Sequence, residues 1–254
     1  MIAVEQVWRT YRRPREVAAL RGVSCEITKG QRFGIVGESG SGKSTLVRIM
    51  AALDRPTSGT VSFEGTRIDR LSDRELRFLR NRLQIVFQDP MGSLDPRMRV
   101  RDIVSEPLGR ARDRHERAAE LLAAVGLSPD AGRKYPHQFS GGQRQRISLA
   151  RALAPRPKVL VADEAVSALD VLVRMQILEL VTELVDTFDL TLVFVSHDLA
   201  VVRHVCDTVA VMREGVIVEQ GAVAEVYGSP RHPYTRELIA AAPSLSGALA
   251  RFDD

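Results

Sequence analysis

Two short stretches of the sequence hold residue types that can handle a phosphate ester. The first, Gly37-Glu38-Ser39-Gly40-Ser41-Gly42-Lys43-Ser44, sets two glycines five positions apart ahead of a Lys-Ser pair. Glycines let the backbone curl with its N–H groups inward, and a helix starting from such a loop adds the positive end of its dipole, so the loop becomes a nest for a polyphosphate. There Lys43 would reach the β and γ phosphates and the Ser44 hydroxyl would ligate Mg²⁺. The second stretch is Asp163-Glu164. Asp163 would hold Mg²⁺ through water, and Glu164, one residue on, is placed to take a proton from an attacking water. Two acids there also suit the N-terminus of a following helix on electrostatic grounds alone.

The flanking residues supply the elements that would position both stretches. Phe33-Gly34-Ile35-Val36 is an apolar strand running into the glycine loop, and Thr45-Leu46-Val47-Arg48-Ile49-Met50 reads as a helix leaving it. Val159-Leu160-Val161-Ala162 is a second apolar strand, ending at Asp163. The carboxyl end of a parallel strand beside such a loop is where a doubly wound sheet binds its ligand. Further β-rich runs fall at 2–7, 25–28, 61–64, 192–195, 209–212 and 216–218, with helical spacing over 70–82, 110–125 and 171–185. Continuous Val/Leu/Phe runs alternating with helices are strands buried on both faces, which predicts an α/β fold with a parallel sheet. The arginine-rich middle reads as a helical insertion.

At 254 residues the chain is long enough for one substantial domain and too short for two full ones. Its 36 basic and 32 acidic residues leave a net charge of +4, and only Lys29, Lys43, Lys134 and Lys158 of the basic set are lysines. The arginines are dispersed among nearly as many carboxylates, so no nucleic-acid partner is expected. No apolar run reaches the ~18 residues of a membrane span, and the opening residues lack the pattern of a signal peptide. Cys25 and Cys206 belong to no Cys-x-x-Cys pair, which predicts a cytosolic protein without disulfide or zinc framework.

Residues 37–44 and Asp163 alone would also suit a GTPase, kinase or helicase. The segment Phe139-Ser140-Gly141-Gly142-Gln143-Arg144-Gln145-Arg146 decides among them: its Ser-Gly-Gly-Gln, shortly before the Asp-Glu strand, resembles the signature of ATP-binding cassette (ABC) ATPases. Ser140, Gly141 and Gly142 open a predicted helix, which makes physical sense as a second anion site. In that family the second site faces the γ-phosphate held by an opposite subunit, so two chains sandwich two ATP molecules. The resemblance implies ATP and Mg²⁺ as cofactors, with Gly37, Ser39, Gly40, Ser41, Gly42, Lys43, Ser44 and Thr45 on one side of the nucleotide and Ser140, Gly141, Gly142 and Gln143 serving the partner's. Gln88, in Val86-Phe87-Gln88-Asp89-Pro90, resembles the glutamine that senses Mg²⁺ and the γ-phosphate and connects to the membrane subunits. Ser167-Ala168-Leu169-Asp170 resembles the loop that crosses the dimer seam, and His197 resembles the histidine that contacts the γ-phosphate. Tyr11 matches the aromatic that stacks on adenine, with Trp8 as a competitor and surface packing as the other reading. Phe139 stands where leucine is common and Ala165 where proline is common; Asp163 and Glu164 are retained.

The tail Gly228-Ser229-Pro230-Arg231-His232-Pro233-Tyr234-Thr235-Arg236-Glu237-Leu238 resembles the C-terminal motif of the dipeptide, oligopeptide and nickel uptake branch; on its own it reads as a turn followed by a helix. The architecture implied is a single ABC ATPase domain over 1–254, a P-loop NTPase of RecA-like type. Its core spans about 1–88 and 155–228, with an antiparallel β portion near the N-terminus, a helical subdomain over about 89–154 and a tail over 229–254. The partners implied are two transmembrane permease subunits, a second ABC ATPase subunit and, indirectly, an extracytoplasmic solute-binding protein. The chain would then work at the cytoplasmic face of the membrane. A soluble ABC-type ATPase of DNA repair or of ribosomes is the alternative.

Overall fold

A computed structural model describes residues 1–12, 16–166 and 169–241. The chain divides into two compact units, residues 1–76 with 192 onward, and residues 77–191. In chain order the first unit opens with strands β1 (Ile2–Tyr11), β2 (Val17–Ile27) and β3 (Arg32–Val36), helix α1 (Lys43–Met50), and strands β4 (Ser58–Phe63) and β5 (Thr66–Arg67). The second unit holds α2 (Arg77–Arg82), β6 (Leu83–Val86), α3 (Pro90–Ser93), α4 (Val100–Ser105), α5 (Arg114–Ala124), α6 (Gly141–Leu153), β7 (Val159–Asp163) and α7 (Val171–Thr187). The chain then returns to the first unit with β8 (Thr191–Ser196), α8 (Leu199–Val205), β9 (Thr208–Arg213), β10 (Val216–Ala222), α9 (Val223–Gly228) and α10 (Pro233–Ala241).

In the first unit β2, β1, β4 and β5 form an antiparallel sheet in that order, burying Ile2, Val4, Val7, Leu20, Val23, Ile27, Val61 and Phe63. Strands β10, β9, β3 and β8 lie side by side in that order, with β3 parallel to both β8 and β9 and only β10 antiparallel to its neighbour. Phe33, Ile35, Val36 and all of β8 from Leu192 to Val195 are buried, as expected for strands covered on both faces. Helix α8 packs so closely on β3 that a Cβ at Gly34 would lie 2.3 Å from Val202 Cγ1. In the second unit β6 and β7 pair in parallel, Leu83 with Val159 through Val86 with Ala162. Helices α5, α6 and α7 bury Leu121, Leu122, Ile147, Leu149, Ile177, Val181 and Leu184.

Several elements differ from the sequence-based expectation, and three have a visible local cause. The β1–β2 hairpin is longer than its 2–7 and 25–28 runs, because register shifts after Val4, Val7 and Arg9 break the two-residue alternation that marks a strand. The helix expected over 70–82 is confined to Arg77–Arg82. Ahead of it the Glu75 carboxylate accepts from both the backbone N–H (2.8 Å) and hydroxyl (2.6 Å) of Ser72, as in a capping box, and Leu76 N donates to Ser72 O (3.0 Å), so Ser72 marks where the chain turns into the helix and residues 70–71 lie before it. Strand β6 carries a polar Gln84 in only four residues, too short and mixed to show in the pattern. Among the described residues no helix is long and apolar enough to cross a membrane.

Candidate functional site

The first unit carries the glycine loop. Gly37 has φ +155°, and a Cβ there would lie 2.2 Å from the Met212 carbonyl oxygen. Gly42 has φ +104° and would bring a Cβ to 2.5 Å from the Ala19 carbonyl oxygen. Both positions combine a left-handed backbone with main-chain contact, so no side chain fits without moving β9 or β2. Gly40, also left-handed, faces open space. The loop is tied down by Gly215 N donating to Ser41 O (3.0 Å) and Ser41 N to Glu38 O (3.2 Å). Lys43 is buried, and its ammonium donates to the carbonyl oxygens of Gly37 (2.7 Å) and Glu38 (2.8 Å). Ser41 Oγ is buried without a hydrogen-bond partner among the described residues, a polar atom suited to a ligand oxygen. Helix α1 starts from Gly42 with no side-chain cap, so its first N–H groups are not satisfied by a Ser, Thr or Asp at its start. Ser44 and Thr45 stand in its first turn.

Two more of the residues singled out by sequence lie in this unit. His197 is exposed directly after β8, between Ser196, whose hydroxyl accepts from Asp198 N (2.9 Å), and Asp198, which caps α8 by accepting from Ala200 N (2.9 Å). Tyr11 ends β1 opposite Val17, two residues before the Ala19 carbonyl that abuts Gly42. Its hydroxyl donates to Asp54 Oδ2 (2.6 Å), and the Arg9 guanidinium lies over its ring at 4.4 Å. Arg9 is itself held by Asp54, Nε to Oδ2 at 3.0 Å and Nη2 to Oδ1 at 2.7 Å. One face of the Tyr11 ring therefore belongs to Arg9.

The second unit carries the acids and the Ser-Gly-Gly-Gln segment. Asp163 ends β7, and Glu164 follows with φ +49°, the left-handed region that a non-glycine residue enters at a cost of about 1–3 kcal/mol. Gln88 is exposed two residues beyond β6. Ser140 caps α6: its Oγ accepts from Gln143 N (3.3 Å) while Gln143 Oε1 accepts from Ser140 N (3.1 Å). Gly141 has room, since a Cβ there would meet only Leu169 Cδ2 at 3.6 Å, whereas one at Gly142 would reach Val173 Cγ1 at 2.5 Å. Asp170 caps α7 through Oδ1, accepting from Val173 N (2.9 Å). Ser167 and Ala168 lie outside the described residues.

Sequence reasoning did not find Asp54, which holds Tyr11, nor that Tyr234 reaches the glycine loop, its hydroxyl accepting from Glu38 N at 3.0 Å. The tail motif reads as a turn and a helix over residues 228–238, without saying what they touch.

A strand, a glycine loop with two positions closed to side chains, a buried lysine and an uncapped helix define a P-loop nucleotide-binding protein of the α/β class. The profile of the ABC transporter family matches residues 20–167. The oligopeptide transport ATP-binding protein AppF of Bacillus subtilis is 48% identical over 238 residues, 91% of this chain and 72% of AppF. The oligopeptide transport ATP-binding protein OppD of Mycobacterium tuberculosis is 50% identical over 232 residues, 90% of this chain and 38% of OppD, so the chain spans well under half of that relative. The bacterial ABC transporter cassette MJ0796, solved as a dimer and in a post-hydrolysis state bound to ADP and Pi, matches with TM-score 0.78 at 32% identity over 88% of this chain and 99% of that one. The chain belongs to the ABC transporter family, and it is an ATP-binding, ATP-hydrolysing cassette.

Proposed function

We propose that this chain is the ATPase subunit of a peptide importer, working on the cytoplasmic face of the membrane with two transmembrane permease subunits and a second cassette. An extracytoplasmic solute-binding protein would deliver the peptide to those permeases. The single observation that carries the reading is that one chain holds two glycine-bearing helix starts of different kinds: the uncapped α1 behind Lys43 and the self-capped α6 at Ser140. The names of the relatives, oligopeptide transport ATP-binding proteins, support peptide as the cargo and favour an importer over a soluble ATPase of DNA repair or ribosomes. The dimeric MJ0796 cassette supports a two-cassette assembly. Within it, residues 89–154 are assigned as the helical subdomain between core segments 1–88 and 155–228.

The residues divide the work by chemistry. Gly37, Ser39, Gly40, Ser41, Gly42, Ser44 and Thr45 would present backbone and hydroxyl donors to the triphosphate, with Lys43 as their cation. Tyr11 would stack on adenine through the ring face opposite Arg9. Ser44, Gln88 and Asp163 offer only oxygen donors, a hard set that suits Mg²⁺. When bound, Mg²⁺ would neutralise phosphate charge. Glu164 would accept a proton from the attacking water, and His197 would hydrogen-bond the γ-phosphate. Ser140, Gly141, Gly142 and Gln143 would face the nucleotide held by the partner cassette, with Asp170 at the same seam.

Glu164→Gln tests the assignment of the base. MgATP binding should persist, since Lys43, Ser44 and Asp163 remain, while hydrolysis slows by about 10²–10⁴-fold, equivalent to roughly 3–5 kcal/mol of transition-state stabilisation. Hydrolysis at the parental rate would place the base elsewhere.

A further inference from the structure

The tail motif is the one sequence feature that the ATPase reading leaves without a task. In the structure it is built into the first unit. The Glu219 carboxylate on β10 accepts from the backbone N–H groups of Arg231 (2.9 Å) and His232 (3.0 Å), and His232 Nδ1 accepts from Tyr234 N (3.2 Å). These bonds fix how the chain enters α10. They leave Tyr234 2% exposed, with the Arg213 guanidinium 4.8 Å from its ring centroid and its hydroxyl on Glu38 N.

The peptide gripped there is a specific one. Glu38 N–H and Gly37 C=O belong to the same planar unit and point to opposite sides of it. Tyr234 Oη holds the N–H end at 3.0 Å, and Lys43 Nζ holds the C=O end at 2.7 Å. Gly37 makes rotation of that peptide easy, because it lacks the Cβ that would restrict its dihedrals. Lys43 is also the cation proposed to serve the β and γ phosphates, so a ligand competes for one end of the grip. The Tyr234 hydroxyl keeps the other end in place, and with it the Gly37 and Glu38 carbonyls from which Lys43 departs.

We infer that Tyr234 is a positioning residue for the phosphate loop: through Glu38 N–H it sets the orientation of the Gly37–Glu38 peptide, making the C-terminal motif part of the nucleotide-binding machinery. The inference rests on reading residues 37–45 as the nucleotide cradle. It predicts that the tail contributes to ATP affinity without touching ATP.

The test uses the full chain carrying Glu164→Gln, so that ATP is not consumed, with MgATP affinity measured by calorimetry and Tm measured without nucleotide. Tyr234→Phe keeps the buried ring and removes only the acceptor. Its Kd for MgATP should rise about 3–10-fold, the scale of one hydrogen bond, with Tm falling by no more than a few degrees. In the chain with Glu164 intact, the KM for ATP should rise by the same factor and kcat should hold. Tyr234→Leu, which also removes the ring, should lower Tm and raise Kd no further than the Phe variant. An unchanged Kd for Tyr234→Phe, or a rise confined to Tyr234→Leu, would overturn the inference and leave Tyr234 as packing. Lys43→Ala distinguishes that failure from failure of the cradle reading: if it too binds MgATP at full affinity, the cradle is misassigned and the inference falls with it.

Discussion

Helix α1 starts from Gly42, left-handed and without a side-chain cap, whereas α6 starts from Ser140, whose side chain and backbone exchange hydrogen bonds with Gln143. The first start is shaped by the chain's own backbone: Gly37 and Gly42 sit against the carbonyls of Met212 and Ala19. The second is complete in itself, and Gly141 has space around it that the fold does not use. A glycine that the fold requires and a glycine that it does not require answer to different demands. Gly42 is fixed by the interior of this chain, while nothing inside the described fold requires Gly141 to be small, which leaves room for the second nucleotide site proposed above. That difference matches a loop that receives its own nucleotide and a helix end that serves another subunit's.

Substitutions at the glycines break or sharpen the contrast. Gly42→Ala should cost the most, about 2–5 kcal/mol of stability in urea unfolding, because left-handed strain and a main-chain clash add together, and ATP binding should be lost with it. Gly142→Ala meets only a side-chain methyl of Val173, which can shift, so about 1–3 kcal/mol is expected in the same assay. Ser140→Ala removes one cap and should cost about 1 kcal/mol. Gly141→Ala should leave stability within about 0.5 kcal/mol of the parent, yet reduce ATP turnover in the assembled transporter, measured as phosphate release. Loss of stability at Gly141 comparable to Gly42 would erase the distinction.

The cysteines give the smallest effect. Burial pushes the Cys25 thiol up to about 12 and Cys206 higher still, because a thiolate is disfavoured away from water. Neither should react with a thiol reagent at pH 8 until the chain is unfolded. Rapid labelling of the native protein would contradict their burial.

What the sequence could reveal follows the range of the interactions. The glycine loop, the Asp163-Glu164 pair and the Ser140 cap are each specified within a few neighbouring residues, so spacing alone exposes them. The left-handed backbone at Glu164 leaves no trace in residue type. Tyr11 stands out as an aromatic candidate, but the Asp54 that holds it lies 43 positions away, and Tyr234 meets Glu38 across 196. Such pairings arise from the sheet bringing distant turns together, and no local pattern encodes them. Ala165 and Phe139, the two departures from the family pattern, are both buried apolar side chains, consistent with packing roles at those positions.

The claim that α6 serves a second cassette is tested most directly by light scattering on the Glu164→Gln chain, alone and with the second cassette of the same transporter, with and without MgATP. The account predicts that MgATP doubles the measured mass and that adding Ser140→Arg, which fills the start of α6, keeps every chain monomeric while each still binds nucleotide. A Ser140→Arg chain that dimerises on MgATP as well as its parent would contradict it.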